Sequence, residues 1–457
     1  MSVPFNPSSS GVPDLRSITA SLVGTFVLRV ASGVMGSMIQ LYLGYIHRHV
    51  YPLSATMRGI ALAVFFIPEL IGAPVLGAWS DRYGRKLFMV LGSLTGSVAV
   101  QIAAFTTHFG AIVITRVLMG LSTASAFPAT LGYLSAETVA SESLRGRVMA
   151  LFQIATLGGT VVGILFGGRL WDLFHAHAFT LNDAIYIISL AIFFFGIRER
   201  KRRAERKPAD EISALAQGAQ AFRRAFDHYR DVFFSPVVVR FAPAWLMINV
   251  ILGIWLNQII GLLIAPRGHF SEQLLFGILG DAANAGTLIS ISAIGLALVF
   301  VIGVVGWGFV VGKIRRTTVM LVGMGGLFGL CAVLFTLNHR DGLGDSILFV
   351  DLALALGALF LTSGLMPASL TYLADVTEAR AGDRGAIMGM YTIFFGAGQL
   401  LGTLLGGLFA DWAAIDGILL LTALLGIVMA ITLIRLHRLE NGTAADAILA
   451  KDAQSDK

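Results

Sequence analysis

Three ionisable side chains interrupt long apolar runs: Arg29 in "LVGTFVLRVASGVMG", Glu69 in "AVFFIPELIGAPVLG" and Arg116 in "AIVITRVLMGL". On insertion scales a charge at the centre of a membrane helix costs about 2.5 to 3.5 kcal/mol, so each is a functional candidate. A fourth, Arg240, stands near one end of its run, where a long cation reaches the headgroups. The chemistry on offer is proton uptake. Burial favours a neutral carboxyl and a neighbouring guanidinium favours the carboxylate, so a Glu69 whose cationic contact is made and broken takes up and releases a proton. Arg116 is also able to hold an anionic group. Asn249, Asn257 and Gln258, with Trp245 and Trp255, put hydrogen-bonding groups on one later run, where they line a cavity or bridge helices.

The elements that must position these groups are membrane helices. The chain has 457 residues, of which 56% are hydrophobic and only 13% charged, against about 25% charged in soluble domains. Runs near the roughly 20 residues needed for a crossing are read at 17–46, 56–79, 87–107, 111–136, 148–170, 180–197, 237–264, 287–311, 318–337, 347–374, 387–409 and 416–435. No secretory signal is readable, and the first run is taken as a permanent span. Loops on the side of the termini hold twenty Lys and Arg, the opposite turns five (Arg48, Arg58, Arg169, Arg267 and Arg340). The positive-inside rule then makes both termini cytoplasmic. Spans three, six, nine and twelve are read as free of charge and peripheral. Arg29 and Glu69 both lie roughly 17 Å above the cytoplasmic ends of antiparallel spans at 1.5 Å per residue. An ion pair between them is expected, as a static bridge or a working one.

Between spans six and seven lies a basic linker beginning "RERKRRAERK". Its segment 221–234 spaces Phe222, Phe226, Tyr229 and Phe233 as an amphipathic surface helix. It separates two copies of one unit. "PATLGYLSAET" at Pro128 matches "PASLTYLADVT" at Pro367 at an offset of 239, and the register continues through Gly163 and Gly402 to Asp172 and Asp411. The loop "GAPVLGAWSDRYGRK" has a degraded copy, "GWGFVVGKIRR", at an offset of 231. Six spans per copy insert both in one orientation. The expected fold is an all-α membrane protein, with twelve transmembrane helices in two six-helix bundles related by pseudo-twofold symmetry. Such repeats suit alternating access to a site at mid-depth. The expected organisation is an N-terminal bundle over 1–200, the linker over 201–235, a C-terminal bundle over 236–440 and a tail over 441–457.

Gly77, Asp81, Arg82, Gly84, Arg85 and Lys86 fit G-x-x-x-D-R-x-G-R-K, and with them the chain resembles the major facilitator superfamily, in its twelve-helix drug-antiporter branch. Arg116, Gly120 and Ala124 resemble that family's fourth-helix pattern. The resemblance implies that Asp81 and Arg85 form a cytoplasmic latch against span eleven, joined by Glu137 and Arg145, and that Arg116 takes part in proton coupling. It also implies that spans one, four, seven and ten line the cavity. In the second copy Gly312 replaces Asp81 and Arg315 replaces Gly84, so the latch is expected to be asymmetric. The exporter signature of span five survives as Gly159, Gly163, Gly167 and Gly168, but Ile164 stands where proline is expected. The expected function is alternating-access transport, as proton-coupled efflux of amphipathic, drug-like compounds. The alternative is a proton symporter importing a small organic anion. Expected partners are the small-molecule substrate, a proton or other coupling ion and the lipid of a bacterial-type inner (plasma) membrane. A monomer suffices. Nothing calls for an enzyme, cofactor, metal or nucleic acid: HExxH, nucleotide loops and Ser/His/Asp groupings are missing, the nine His are mostly in loops, and the one cysteine, Cys331, lies in an apolar run.

Overall fold

The computed structural model describes residues 14–138, 141–198, 236–266, 270–311, 313–340, 345–378 and 384–455. Among these residues the regular structure is helical. In chain order the helices are α1 (Leu15–His49), α2 (Ala55–Ala63), α3 (Phe66–Tyr83), α4 (Arg85–Phe105), α5 (Phe109–Glu137), α6 (Glu142–Phe174) and α7 (His177–Gly196). There follow α8 (Pro236–Leu263), α9 (Ala285–Val311), α10 (Arg316–His339), α11 (Asp345–Ser363), α12 (Leu365–Glu378) and α13 (Arg384–Ser455). Among the described residues, eleven helical segments are long and apolar enough to cross a bilayer, the last being the 47 residues of Ile393–Leu439. At 1.5 Å per residue that segment measures roughly 70 Å, twice a bilayer core. It is interrupted at Ala413 and Ala414, whose backbone leaves helical geometry. It therefore makes two crossings, and the total of twelve stands.

Proline chemistry explains two further interruptions. Pro68 has no N–H for the carbonyl of Val64, and Pro367 none for that of Ser363. Span two accordingly divides into α2 and α3 at Val64–Phe65, and span ten into α11 and α12 at Gly364. Another interruption reports the duplication directly. At the end of α6, His175 has φ 48° and ψ −126°; 239 residues later Ala414 has φ 46° and ψ −123°. The register read from side chains extends to the backbone.

The described residues fall into two compact units. The first comprises Met1–Leu53, Ile60–Lys201 and Ala282–Ile291; the second comprises Ser54–Gly59, Arg202–Asp281 and Ser292–Lys457. In the first, α6 packs along α1, α5 on α3 and α4, and α7 on α1 and α4. In the second, α13 packs along α8, and α10 meets α11, α12 and α13. The α6–α1 and α13–α8 contacts are made the same way: a Cβ on Gly163 would lie 2.2 Å from the Val30 carbonyl oxygen, and one on Gly402 2.1 Å from that of Val250. Small residues let these backbones touch, which is how membrane helices gain packing energy. Large side chains such as Phe195 and Phe309 are more than 75% exposed, a surface suited to lipid rather than water.

Three expectations need correction. Span six is not free of charge: Asp183 in α7 is buried, and accepts hydrogen bonds from Ser97 Oγ at 2.5 Å and from Gln101 Nε2, both on α4. Packing of α7 on α4 satisfies that carboxylate within the bundle. Span twelve is not free of charge either: Asp416, at the start of its run, accepts a hydrogen bond from Asn338 Nδ2 at 2.9 Å. Arg58, expected in an exposed turn, lies in α2, is 8% exposed, and donates from Nη1 to the Gly261 carbonyl at 2.9 Å. The linker and its amphipathic segment lie outside the described residues.

Candidate functional site

The break in span two builds part of the site. It starts a new helix at Phe66 and puts Glu69 in the first turn of α3, where the partial positive charge of a helix start faces an acidic group. It also presents Phe65 to α5, with the Arg116 guanidinium carbon 4.9 Å from the ring centroid. Arg116 is only 6% exposed. Its guanidinium has no hydrogen-bond or ion-pair partner among the described residues, and its Nε is fully buried. Leaving such a donor set unsatisfied is costly, so an aromatic face is partial compensation.

On α1, Arg29 sits over Phe127 of α5, 5.2 Å from the ring centroid. It lines a narrow cleft between α1 and α5 with the hydroxyls of Thr25, Ser32, Ser122, Thr123 and Thr130. Four of these donate to backbone carbonyls: Thr25 to Ser21, Ser32 to Leu28, Ser122 to Gly92 and Thr130 to Ala126. Their oxygens keep acceptor capacity, while Arg29 offers donors. Tyr186 of α7, fully buried, stands 3.3 Å from Ser32 Oγ and donates to Met119 Sδ at 3.6 Å.

Arg29 and Glu69 do not form the expected ion pair. Arg29 is turned onto Phe127, and neither residue has a hydrogen bond or ion pair among the described residues. Glu69 instead lies in the field of both Arg29 and Arg116, and keeps part of its surface accessible. Two guanidiniums and one carboxyl thus share the first unit without direct contact. Tyr186 and the hydroxyls escaped the sequence reading. Tyr186 lies on a span taken as peripheral, and hydroxyls in apolar runs are too common to signal a cleft.

The polar groups of span seven serve the second unit differently. Trp245 is buried in a core cluster, stacked on Phe241. Asn249 donates to the Trp245 carbonyl at 2.8 Å, Gln258 to that of Thr403 at 2.7 Å, and Asn257 to Gly253 and to Gln399 Oε1. Trp255 donates to Thr422 at 3.0 Å. All of these bonds tie α8 to itself or to α13. A small cavity in the second unit is lined instead by apolar side chains including Ile248, Leu252, Phe300, Met366 and Met429. Arg240 is exposed at the start of α8.

At the loop signature, Gly84 adopts φ 112° between α3 and α4, a conformation that suits only glycine. Arg85 forms a salt bridge of 2.6 Å with Asp81 and donates to the Gly132 carbonyl on α5. Gly77 packs on Pro128, and Arg82 lies over Tyr83. Glu137 ends α5 and Arg145 is exposed in the first turn of α6. The expected meeting point at the start of span eleven includes 379–383, outside the described residues.

Twelve crossings in two like-built units, with ionised groups beside a hydroxyl-lined cleft, define a multi-pass membrane carrier. The chain belongs to the Major Facilitator Superfamily, whose model matches residues 21–358 and 270–453; the members found here are transporters, not enzymes. It is 23% identical over 395 residues to multidrug resistance protein 2 of Bacillus subtilis (strain 168), covering 85% of this chain and 88% of the relative. It is similarly 23% identical to the glucose transporter GlcP of Staphylococcus epidermidis, covering 90% and 92%. Tetracycline resistance protein, class H, of Pasteurella multocida matches 52% of this chain and 61% of its own length at 25% identity. Among solved structures, the nucleoside transporter NupG shares the fold with a TM-score of 0.67 at 14% identity, covering 91% of this chain and 98% of that one.

Proposed function

We propose that this transporter exports small amphipathic compounds in exchange for protons taken up at Glu69, with both termini in the cytoplasm of a bacterial-type inner membrane. The observation that carries the reading is Glu69 itself, a largely buried carboxyl held without an ion pair in the field of two guanidiniums. Such a group changes protonation when its distance to a cation changes. Relatives named for multidrug and tetracycline resistance support export, as does the glycine face from Gly159 to Gly168. The apolar cavity of the second unit suits the greasy part of such a compound. Asp81, Arg82 and Arg85, with Gly77 and Gly84, serve as the cytoplasmic latch, with Glu137 and Arg145 as further members.

A second reading, import of a small organic anion with a proton, is favoured by one observation: Arg29 and Arg116 lack hydrogen-bond acceptors. Inside-out vesicles separate the two. With an acidic lumen, an exporter accumulates a lipophilic dye such as ethidium, whereas an anion symporter drives benzoate outward from a preloaded lumen. Under the proposed coupling Glu69→Gln abolishes the gradient-driven flux and preserves substrate exchange. Undiminished driven flux in that variant overturns the assignment.

A further inference from the structure

We infer that Asp172 and Asp411 are working residues of the transport cycle, a duplicated carboxylate clamp that holds the outer side closed and lets go when it opens. Asp172, near the end of α6, accepts hydrogen bonds from the backbone N–H of Gly286 at 3.0 Å and of Thr287 at 2.7 Å, and from Thr287 Oγ1 at 2.6 Å. Asp411, in α13, accepts from the backbone N–H groups of Ala55 and of Thr56, the latter at 2.9 Å. Each carboxylate spans two first-turn donors that the helix itself leaves unsatisfied.

Both sides of the clamp are duplicated. Asp411 follows Asp172 by the repeat offset of 239, and Gly286 and Thr287 follow Ala55 and Thr56 by 231, the offset of the loop signature. Close approach is built in beside each carboxylate. A Cβ on Gly168 would lie 2.0 Å from the Gly286 carbonyl oxygen, and one on Gly407 2.9 Å from that of Ala55. The segments gripped are also those whose packing departs from sequence order. Ser54–Gly59 precedes the linker yet packs in the second unit, and Ala282–Ile291 follows it yet packs in the first. Each repeat therefore has one helix start gripped by an aspartate of the other repeat. For repeats that move against each other, as alternating access requires, these grips are the ones that must be broken. The two clamps differ in one respect: hydroxyls reinforce both, Thr287 at Asp172 and Thr56 and Ser54 at Asp411, but only the second has a cation beside it, Arg58, which lies in the field of Asp411.

The inference rests on the alternating-access reading, and the test keeps the two apart. Full-length protein carrying Cys331→Ser and Thr123→Cys, with the new thiol in the cleft beside Arg29, is treated in intact cells with a membrane-impermeant maleimide from outside. Asp172→Asn and Asp411→Asn should each speed labelling by about fivefold, and together by about 25-fold, from the usual worth of a helix cap. Asp172→Glu and Asp411→Glu, which keep the charge, should recover slow labelling at least in part. Asn variants that lower the unfolding temperature but leave outside labelling unchanged overturn the clamp, as do Glu variants that label as fast as the Asn ones. Fast labelling in the Asn variants, combined with undiminished proton-driven flux in Glu69→Gln, keeps the clamp and removes the coupling assignment instead.

Discussion

Glu69, Arg29 and Arg116 announce themselves because charge is rare in lipid, but what each touches was hidden in the sequence. Depth arithmetic placed Arg29 and Glu69 level; it said nothing of Phe127, whose ring takes the guanidinium. Nor did it show that a proline-induced break would swing Phe65 onto Arg116. Asp183 went unnoticed within a strongly apolar run, and its partners Ser97 and Gln101 lie on another span. Arg116 carries a consequence for stability. A buried guanidinium without acceptors costs free energy that an uncharged side chain of similar length avoids. Arg116→Met should therefore raise the unfolding temperature in detergent by roughly 1 to 4 °C while abolishing transport. A drop in that temperature would mean that Arg116 contributes to stability instead.

Among the elements, span boundaries were legible from hydropathy to within a few residues, since the bilayer imposes helix length. Interruptions were harder: Pro68 and Pro367 stand in plain view, yet a proline in a membrane span is compatible with a kink, a break or a smooth bend. His175 and Ala414 gave no signal at all, because neither is glycine. Their shared positive φ is strained for side chains with a Cβ. Ala414→Gly should stabilise the protein by about 1 kcal/mol, read as a higher unfolding temperature, since relief of strain exceeds the entropy glycine adds to the unfolded chain. The opposite is expected at Gly402. A side chain there meets the Val250 carbonyl, which cannot rotate away, so Gly402→Val should cost about 3 kcal/mol or more and show as loss of folded protein on size exclusion.

At the scale of the whole molecule, the duplication was the most informative property of the sequence, because repeats constrain topology and orientation together. It shows which residues correspond, but not which ones meet, so the equivalence of Asp172 and Asp411 is legible in the sequence and their partners are not. The latch proposed at Asp81 gives a prediction at this scale. Asp81→Asn removes the salt bridge to Arg85 and should slow net transport severalfold with little change in substrate binding, measured by flux and by equilibrium binding on the same preparation. The exchange of segments between units has its own consequence during synthesis. When the ribosome has delivered the first six spans, Asp172 still lacks the turn it will grip, and residues 54–59 have no neighbours in their final unit until span seven has emerged. Neither half can mature alone. Fragments 1–200 and 201–457, produced separately, should be prone to degradation and become long-lived only when made together in one cell.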